Sequence, residues 1–345
     1  MSPPKPIIAG HILITDPDTA HVKPASWSTI PNIWRKIRFD AMDVLYVSPF
    51  SVLPNKGFGL KPLDGKLDAL AKRFEWIVAN ARAAKEDIKI IAMNMYGSDE
   101  GYMELHDNKD VKTYADSVAA FIDTWSKKTL SAESGKTVSA RIDGYDIDYE
   151  PNTVQPNAPA VLSLIRKNLD ELSSKHQVPR FQVSASSDRT LYLEKLAPVL
   201  DYVNMQNYDG GVSVAPSTYP AEIKDLQYSQ LLYGISSEKA EYDPPSYMNR
   251  EETLEAIKKK DLKSLLKAEN KHQYAGIMVW RLNSDVWVYE NTFQVMLYNQ
   301  IHGTTLKQLP EFAFADDAMI FKEWNGKSRD ENGKIKKPWA DFPYN

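Results

Sequence analysis

Residues 141 to 152 read RIDGYDIDYEPN; within them Asp146, Asp148 and Glu150 fall at every second position, separated by Ile147 and Tyr149 and preceded by Tyr145. Side chains alternate across a β-strand, so this spacing predicts a strand with the three acids on one face and the apolar and aromatic residues on the other. Successive acids would have Cα atoms roughly 6.5 Å apart. Crowding carboxylates in an interior is costly, and both burial and like charge raise carboxyl pKa values, so at least one acid is expected to keep its proton near neutral pH.

On both sides of this stretch, similar β-rich runs recur at Ile7 to Thr15, Val44 to Phe50, Ile88 to Met95, Phe181 to Ala185, Tyr202 to Tyr208, Leu231 to Ile235 and Ala275 to Arg281. With Tyr145 to Tyr149 they make eight candidate strands. Between them, apolar residues at three- and four-residue spacing predict helices over 67–85, 114–128, 158–176, 250–269 and 288–302, with weaker helical segments after the first, fifth and sixth strands. Alternating strand and helix argues for a parallel sheet. Eight units in about 300 residues fit a closed (β/α)8 TIM barrel, an α/β fold, better than an open doubly wound sheet. Counting alone leaves a Rossmann-like sheet standing, although KGFGLK (56–61) carries only two of the glycines of a dinucleotide-binding turn and follows a proline-containing loop.

In a barrel the acids would point inward and step towards the carboxyl end of the fourth strand, where active sites of such barrels form. Two other readings of the acids fit less well. A solvated acidic edge conflicts with the apolar residues between them. A calcium loop of EF-hand type needs glycine at its sixth position and a later glutamate, whereas Gly144 would stand second. Catalytic carboxylates account for the pattern best.

A single domain is expected, with a catalytic barrel over residues 1–302 and a polar C-terminal extension over 303–345, packed on the barrel or partly mobile. The chain has 345 residues, 43% of them hydrophobic, and a net charge of only −4, which suggests no general attraction to nucleic acid or to anionic membrane. Six histidines and no cysteine leave little for a transition-metal site and nothing for disulfides. No run approaches the ~18 apolar residues of a membrane span. The opening MSPPKPIIAGHILITD lacks the features of a signal peptide, so the sequence as written reads as cytoplasmic. A secreted protein whose signal peptide had been removed would read the same. A monomer is expected.

The stretch DGYDIDYE, Asp143 to Glu150, resembles the D-G-x-D-x-D-x-E signature of family 18 glycoside hydrolases at every specified position. Two further sites extend the resemblance over most of the barrel. QNYD, Gln206 to Asp209, ends the sixth strand where the family carries a tyrosine followed by Asp or Asn, and IMVWRLN ends the eighth with Trp280, where the family has a tryptophan under the reacting sugar. The chain departs from the family's chitinases on the third strand, where IIAMNMYGSD keeps only Gly97 of an S-x-G-G pattern. Gln206 also replaces the commonest methionine, as it often does in short plant-type chitinases and endo-β-N-acetylglucosaminidases.

The resemblance implies a retaining reaction in which the substrate's own 2-acetamido group is the nucleophile. Glu150 would be general acid and then base. Asp148 would orient the acetamido nitrogen and stabilise the oxazolinium-like intermediate, and Asp146 would share a proton with Asp148 and tune it. Tyr208 would hold the acetamido oxygen, and Trp280 would carry the pyranose ring. No metal or organic cofactor is implied. The short stretch between the seventh and eighth strands suggests an open cleft and endo-type cutting, because processive chitinases often insert a small domain there. Gln206 and Asp209, the loops after strands two and three with Phe50, Asn94 and Tyr96, and the loop after strand eight with Arg281 and Asn283 are candidates for further sugar contacts. The expected partner is a glycan containing N-acetylglucosamine. Three functions stay open: a chitinase-like hydrolase of β-1,4 bonds, an endo-β-N-acetylglucosaminidase acting on the chitobiose core of N-glycans, and a catalytically silent sugar-binding protein on the same barrel.

Overall fold

A computed structural model of the chain describes residues 5–15, 30, 34–35, 37–60, 67–95, 101–150, 155–188, 190, 193–206, 216–236, 266, 273–280, 282 and 292–307. Eight parallel strands make the barrel: β1 (Ile7–Leu13), β2 (Val44–Val52), β3 (Lys89–Asn94), β4 (Gly144–Asp148), β5 (Gln182–Ser187), β6 (Tyr202–Met205), β7 (Leu231–Ser236) and β8 (Gly276–Trp280). Each pairs with its sequence neighbour, and β1 pairs with both β2 and β8, so the sheet closes on itself. Closure decides between the two folds that the alternating pattern left open.

The pleat then sorts the side chains. Ala9, Val44, Tyr46, Ile91, Met93, Leu232 and Met278 meet inside the barrel. The residues between them, such as Leu45, Val47, Ile90, Ala92, Tyr145, Ile147, Val183 and Val203, face the surrounding helices in one large apolar layer. Its helical side comes from α1 (Leu67–Ala84), α2 (Asn108–Ser126) and α3 (Ala158–His176), whose buried stripes include Phe74 and Ile77, Val118 and Ile122, and Leu162 and Ile165. Helix α2 starts six residues before its predicted first residue, because Asp107 accepts hydrogen bonds from the N–H groups of Lys109 and Asp110, both at 2.8 Å, and caps an additional polar turn.

After β5, two 3-10 turns, Leu193–Lys195 and Ala197–Val199, stand where a weak helix was expected, and Pro198 inside the second lacks the N–H that a longer helix would need there. A five-residue α4 (Thr218–Glu222) follows β6, and α5 (Thr292–His302) follows β8. Helix α5 ends at Gly303, whose φ of 66° suits glycine. The helix predicted over 250–269 and most of the extension over 303–345 lie outside the described residues. Two additions were not anticipated: a short strand, Phe58–Leu60, antiparallel to β2 within the KGFGLK segment, and a hairpin of Thr129–Ser131 with Thr137–Ser139. No helix among the described residues is long and apolar enough to cross a membrane.

Polar pairs fix the amino-terminal end of the barrel. Asp43 accepts from Ile8 N–H (2.8 Å) and Lys85 Nζ (2.6 Å) and lies 2.8 Å from His302 Nε2, tying β1, the end of α1 and α5 together. Asp143, first residue of the acidic signature, accepts from Ile90 N–H (2.9 Å) and pairs with Arg82 and Arg141, which fixes β4 against β3. Gly144 follows because a Cβ there would stand 2.2 Å from the Gln182 carbonyl oxygen.

Candidate active site

The pairing of β4 with β5 sets Asp146 beside Ser184 and Asp148 beside Ser186, all pointing into the barrel. Asp146 is fully buried, and its two oxygens accept from Ser184 Oγ (2.6 Å), Ser186 Oγ (3.0 Å) and Asn204 Nδ2 (3.3 Å). Burial pushes its carboxyl up to about 7, against the pull of the two serine bonds towards the charged form. Asp148 accepts from Gln206 Nε2 at 2.7 Å. Burial, then the charge and hydrogen bond of neighbouring Glu150, raise Asp148 well above the ordinary carboxylate range, while Gln206 works in the opposite direction.

Exposure increases along the strand, from the fully buried Asp146 through Asp148 at 6% to the partly exposed Glu150. The arrangement therefore favours the protonated form of Asp148 beside Glu150 and presents the outermost acid to the mouth. Such an assembly can donate a proton to a leaving group and keep a negative charge ready beside it.

Below the acids lies a second polar layer, absent from the sequence reading. The Tyr46 hydroxyl accepts from Gln182 Nε2 at 2.8 Å, and Asn204 Nδ2 donates to Ser186 Oγ at 3.0 Å. Burial first, and then the Asp146 charge, push the Tyr46 phenol up, so it stays neutral as a hydrogen-bonding group. His11 stacks on Tyr46 with ring centroids 4.5 Å apart and planes 12° apart, and meets the edge of Trp280 at 5.7 Å and 61°. Trp280 ends β8 at the rim and is partly exposed. A usable signal for this layer exists in the sequence: Gln182, Ser184 and Ser186, with Asn204 and Gln206, repeat the two-residue period of the acids. Behind β4, on the helix side, the Tyr145 hydroxyl lies 2.5 Å from that of Tyr102 and 3.1 Å from that of Tyr114, a buried polar knot that holds the acid-bearing strand.

Two expected sugar contacts are corrected. Phe50 lies fully buried on the outer face, its ring 4.9 Å from Phe58, 5.2 Å from Phe74 and 5.2 Å from Phe121. The register shift between Val47 and Phe50 changes the parity of β2, so Phe50 joins Leu45 and Val47 against the helices. Asn94 aligns with Phe50 and Ile147 in the parallel registers, and because Ile91 and Met93 face inward it shares their outer face. Gln206 is the predicted contact that the fold brings directly onto an acid. Tyr208, Asp209, Tyr96, Arg281 and Asn283 lie outside the described residues. Among the described residues no group of three or more His, Asp or Glu side chains is arranged to hold a metal ion.

Comparisons with known proteins agree with the barrel fold. The profile described as Glycosyl hydrolases family 18 matches residues 28–225, more than half of the chain and inclusive of the acidic strand and Gln206. A class V chitinase from Nicotiana tobaccum superposes with a TM-score of 0.59 at 11% identity, covering 86% of this chain and 99% of its own. A family 18 chitinase from Cycas revoluta in complex with (GlcNAc)3 gives 0.57 at 12% identity over 85% and 99%, and an immunomodulatory active chitinase from Trichuris suis gives 0.57 at 12% over 87% and 99%. At such identities these likenesses speak for the fold alone. No curated protein sequence matches the chain.

Proposed function

The chain belongs to the glycosyl hydrolases of family 18, and from that premise we propose that it is an endo-acting, retaining, chitinase-like hydrolase that cleaves β-1,4 bonds at N-acetylglucosamine with the substrate's acetamido group as nucleophile. The observation that carries this reading is Asp148, held by Gln206 at 2.7 Å on one side and hydrogen-bonded to Glu150 on the other.

A neutral Asp148 beside Glu150 is suited to an empty site. When an acetamido N–H arrives, Asp148 gains by becoming the negative partner of that donor, and its proton passes to Glu150. Glu150, the more exposed acid, then protonates the glycosidic oxygen as the acetamido oxygen attacks the anomeric carbon. Charged Asp148 stabilises the positive oxazolinium-like ring, and Glu150 takes a proton from the water that opens it. Asp146 opposes a full negative charge on its neighbour and so moderates how tightly Asp148 holds its proton, the two titrating as interacting sites. Tyr208 is assigned to the acetamido oxygen and Trp280 to the pyranose face. Asp209, Tyr96, Arg281 and Asn283 remain assigned to outer sugar contacts. The substrate is a glycan containing N-acetylglucosamine, acted on by a monomer, with residues 303–345 as an extension of the barrel domain.

Gln206 is also compatible with a second reading, an endo-β-N-acetylglucosaminidase that cuts the chitobiose core of N-glycans, since a glutamine often stands at this position in enzymes of that type, as it does in short plant-type chitinases. One assay separates the readings: chitin oligosaccharides beside high-mannose and complex N-glycoproteins, with products followed by mass spectrometry and early anomers by NMR. Chitin oligomers cut internally with β-anomers appearing first support the chitinase. Release of N-glycans alone supports the second reading. Oligosaccharide binding without any product would leave a sugar-binding protein, and first-formed α-anomers would rule out the acetamido route.

A further inference from the structure

His11 is 1% exposed, yet neither of its ring nitrogens makes a hydrogen bond among the described residues. A buried polar atom left unpaired is costly, and this side chain carries two, in a layer where Asp146, Ser184, Ser186 and Tyr46 find partners and the Gln182 amide is bonded through its Nε2. Its position is also specific. Strand β1 stands between β2 and β8, so the imidazole is wedged between the face of Tyr46 and the edge of Trp280. Burial lowers its pKa to about 3, so the ring is neutral at working pH and offers one donor and one acceptor.

A hydroxyl group also has one donor and spare acceptor capacity, which makes it the natural complement of a neutral imidazole. The topology indicates which hydroxyl. If the acetamido group at C2 of the bound sugar is held by Asp148 on β4, the ring position opposite C2 is C5, which bears the exocyclic 6-hydroxymethyl group. Strand β8 lies four strands round the barrel from β4, and β1 is next to it, so that group is directed to the β8–β1 side.

We propose that His11 is a specificity-determining residue that hydrogen-bonds the 6-hydroxyl of the N-acetylglucosamine unit seated on Trp280. The inference rests on the proposed function for the identity and orientation of the sugar. Trp280 lies against the imidazole in the free protein, and seating the sugar must turn that ring enough to admit the hydroxyl.

The test uses the full chain with Glu150→Gln to prevent turnover and chitotetraose as probe, measured by calorimetry. It also uses a tetraose whose reacting unit is 6-deoxy and a control that is 3-deoxy there. In the His11 background the 6-deoxy ligand should bind about tenfold more weakly than chitotetraose, the loss expected for one hydrogen bond of the stronger kind. His11→Phe, which keeps the stacked ring but no polar atoms, should erase that difference, whereas His11→Gln should keep part of it. The ligand comparison needs no His11 variant, so it stands even if a variant folds poorly. Equal binding of the 6-deoxy and parent ligands would overturn the inference, as would a 6-deoxy penalty that persists in a folded His11→Phe protein. Failure of every chitin oligomer to bind would instead strike at the proposed function.

Discussion

Replacing Asp146 by Asn should change how the stability of the protein depends on pH. Burial raises the folded-state pKa of Asp146 from an ordinary 3.8 to about 7. An acid whose folded pKa is raised favours the folded protein when protonated, so its contribution is fully present below the unfolded pKa and is lost as pH rises through the folded one. At ~1.36 kcal/mol per pH unit, the rise from 3.8 to about 7 corresponds to about 4 kcal/mol, lost by the wild type between roughly pH 4 and pH 7. The amide that Asp146→Asn introduces cannot ionise and escapes this loss. It also relieves Asp148 of a neighbouring charge that raises its pKa, a contribution of the same sign. Urea unfolding followed by tryptophan fluorescence at pH 4.5, 5.5, 6.5 and 7.5, with linear extrapolation to water, should show Asp146→Asn gaining steadily on the wild type as pH increases. Parallel stability curves for the two proteins across that range would refute a raised Asp146 and the buried-carboxylate argument with it.

Gly144→Ala should fail to fold or lose at least ~3 kcal/mol, since its Cβ would stand 2.2 Å from the Gln182 carbonyl oxygen; soluble yield and thermal midpoint measure it, and a wild-type midpoint would contradict the close approach. Gln206→Leu removes the 2.7 Å bond to Asp148 and should lower kcat/KM on chitin oligomers by a factor of ten or more, an expectation that undiminished activity would dismiss. Phe50→Ala should cost about 3–5 kcal/mol of stability while the folded fraction keeps its KM, because the ring packs against Phe58, Phe74 and Phe121 outside the barrel; a raised KM with unchanged stability would return Phe50 to the cleft.

Much of the barrel was legible because its signals are local. All eight strands lie where β-rich runs placed them, since strands buried on both sides of a sheet are apolar along much of their length, although β5 keeps Gln182, Ser184 and Ser186 on its inner face. Pairing order and closure are long-range facts: β1 meets β8 through Ile7 and Gly276, and nothing near Ile7 announces it. The acids of β4 were legible by their period. Their support was not, because Ser184, Ser186 and Asn204 come from neighbouring strands and look like ordinary polar residues until register sets them on Asp146. Phe50 and Asn94 were misplaced for a related reason. A bulge in β2 shifts parity by one, and Asn94 lies on the even side of a strand whose odd residues face inward.

The junction at Asp43 has a consequence for how the protein is made. Its partners Ile8 and His302 stand near opposite ends of the barrel sequence, and His302 is synthesised 259 residues after Asp43. At roughly 5–20 residues per second a ribosome needs on the order of 13–50 s to cover that distance. For most of that interval β1 has at most one partner strand and one open edge, because Gly276 and its neighbours on β8 are made late in it, shortly before His302. An open edge that is apolar on both faces is a template for wrong pairing. The nascent chain must therefore be sheltered at β1 until translation is nearly finished, and a prematurely terminated product that ends before β8 is expected to aggregate through its first strand.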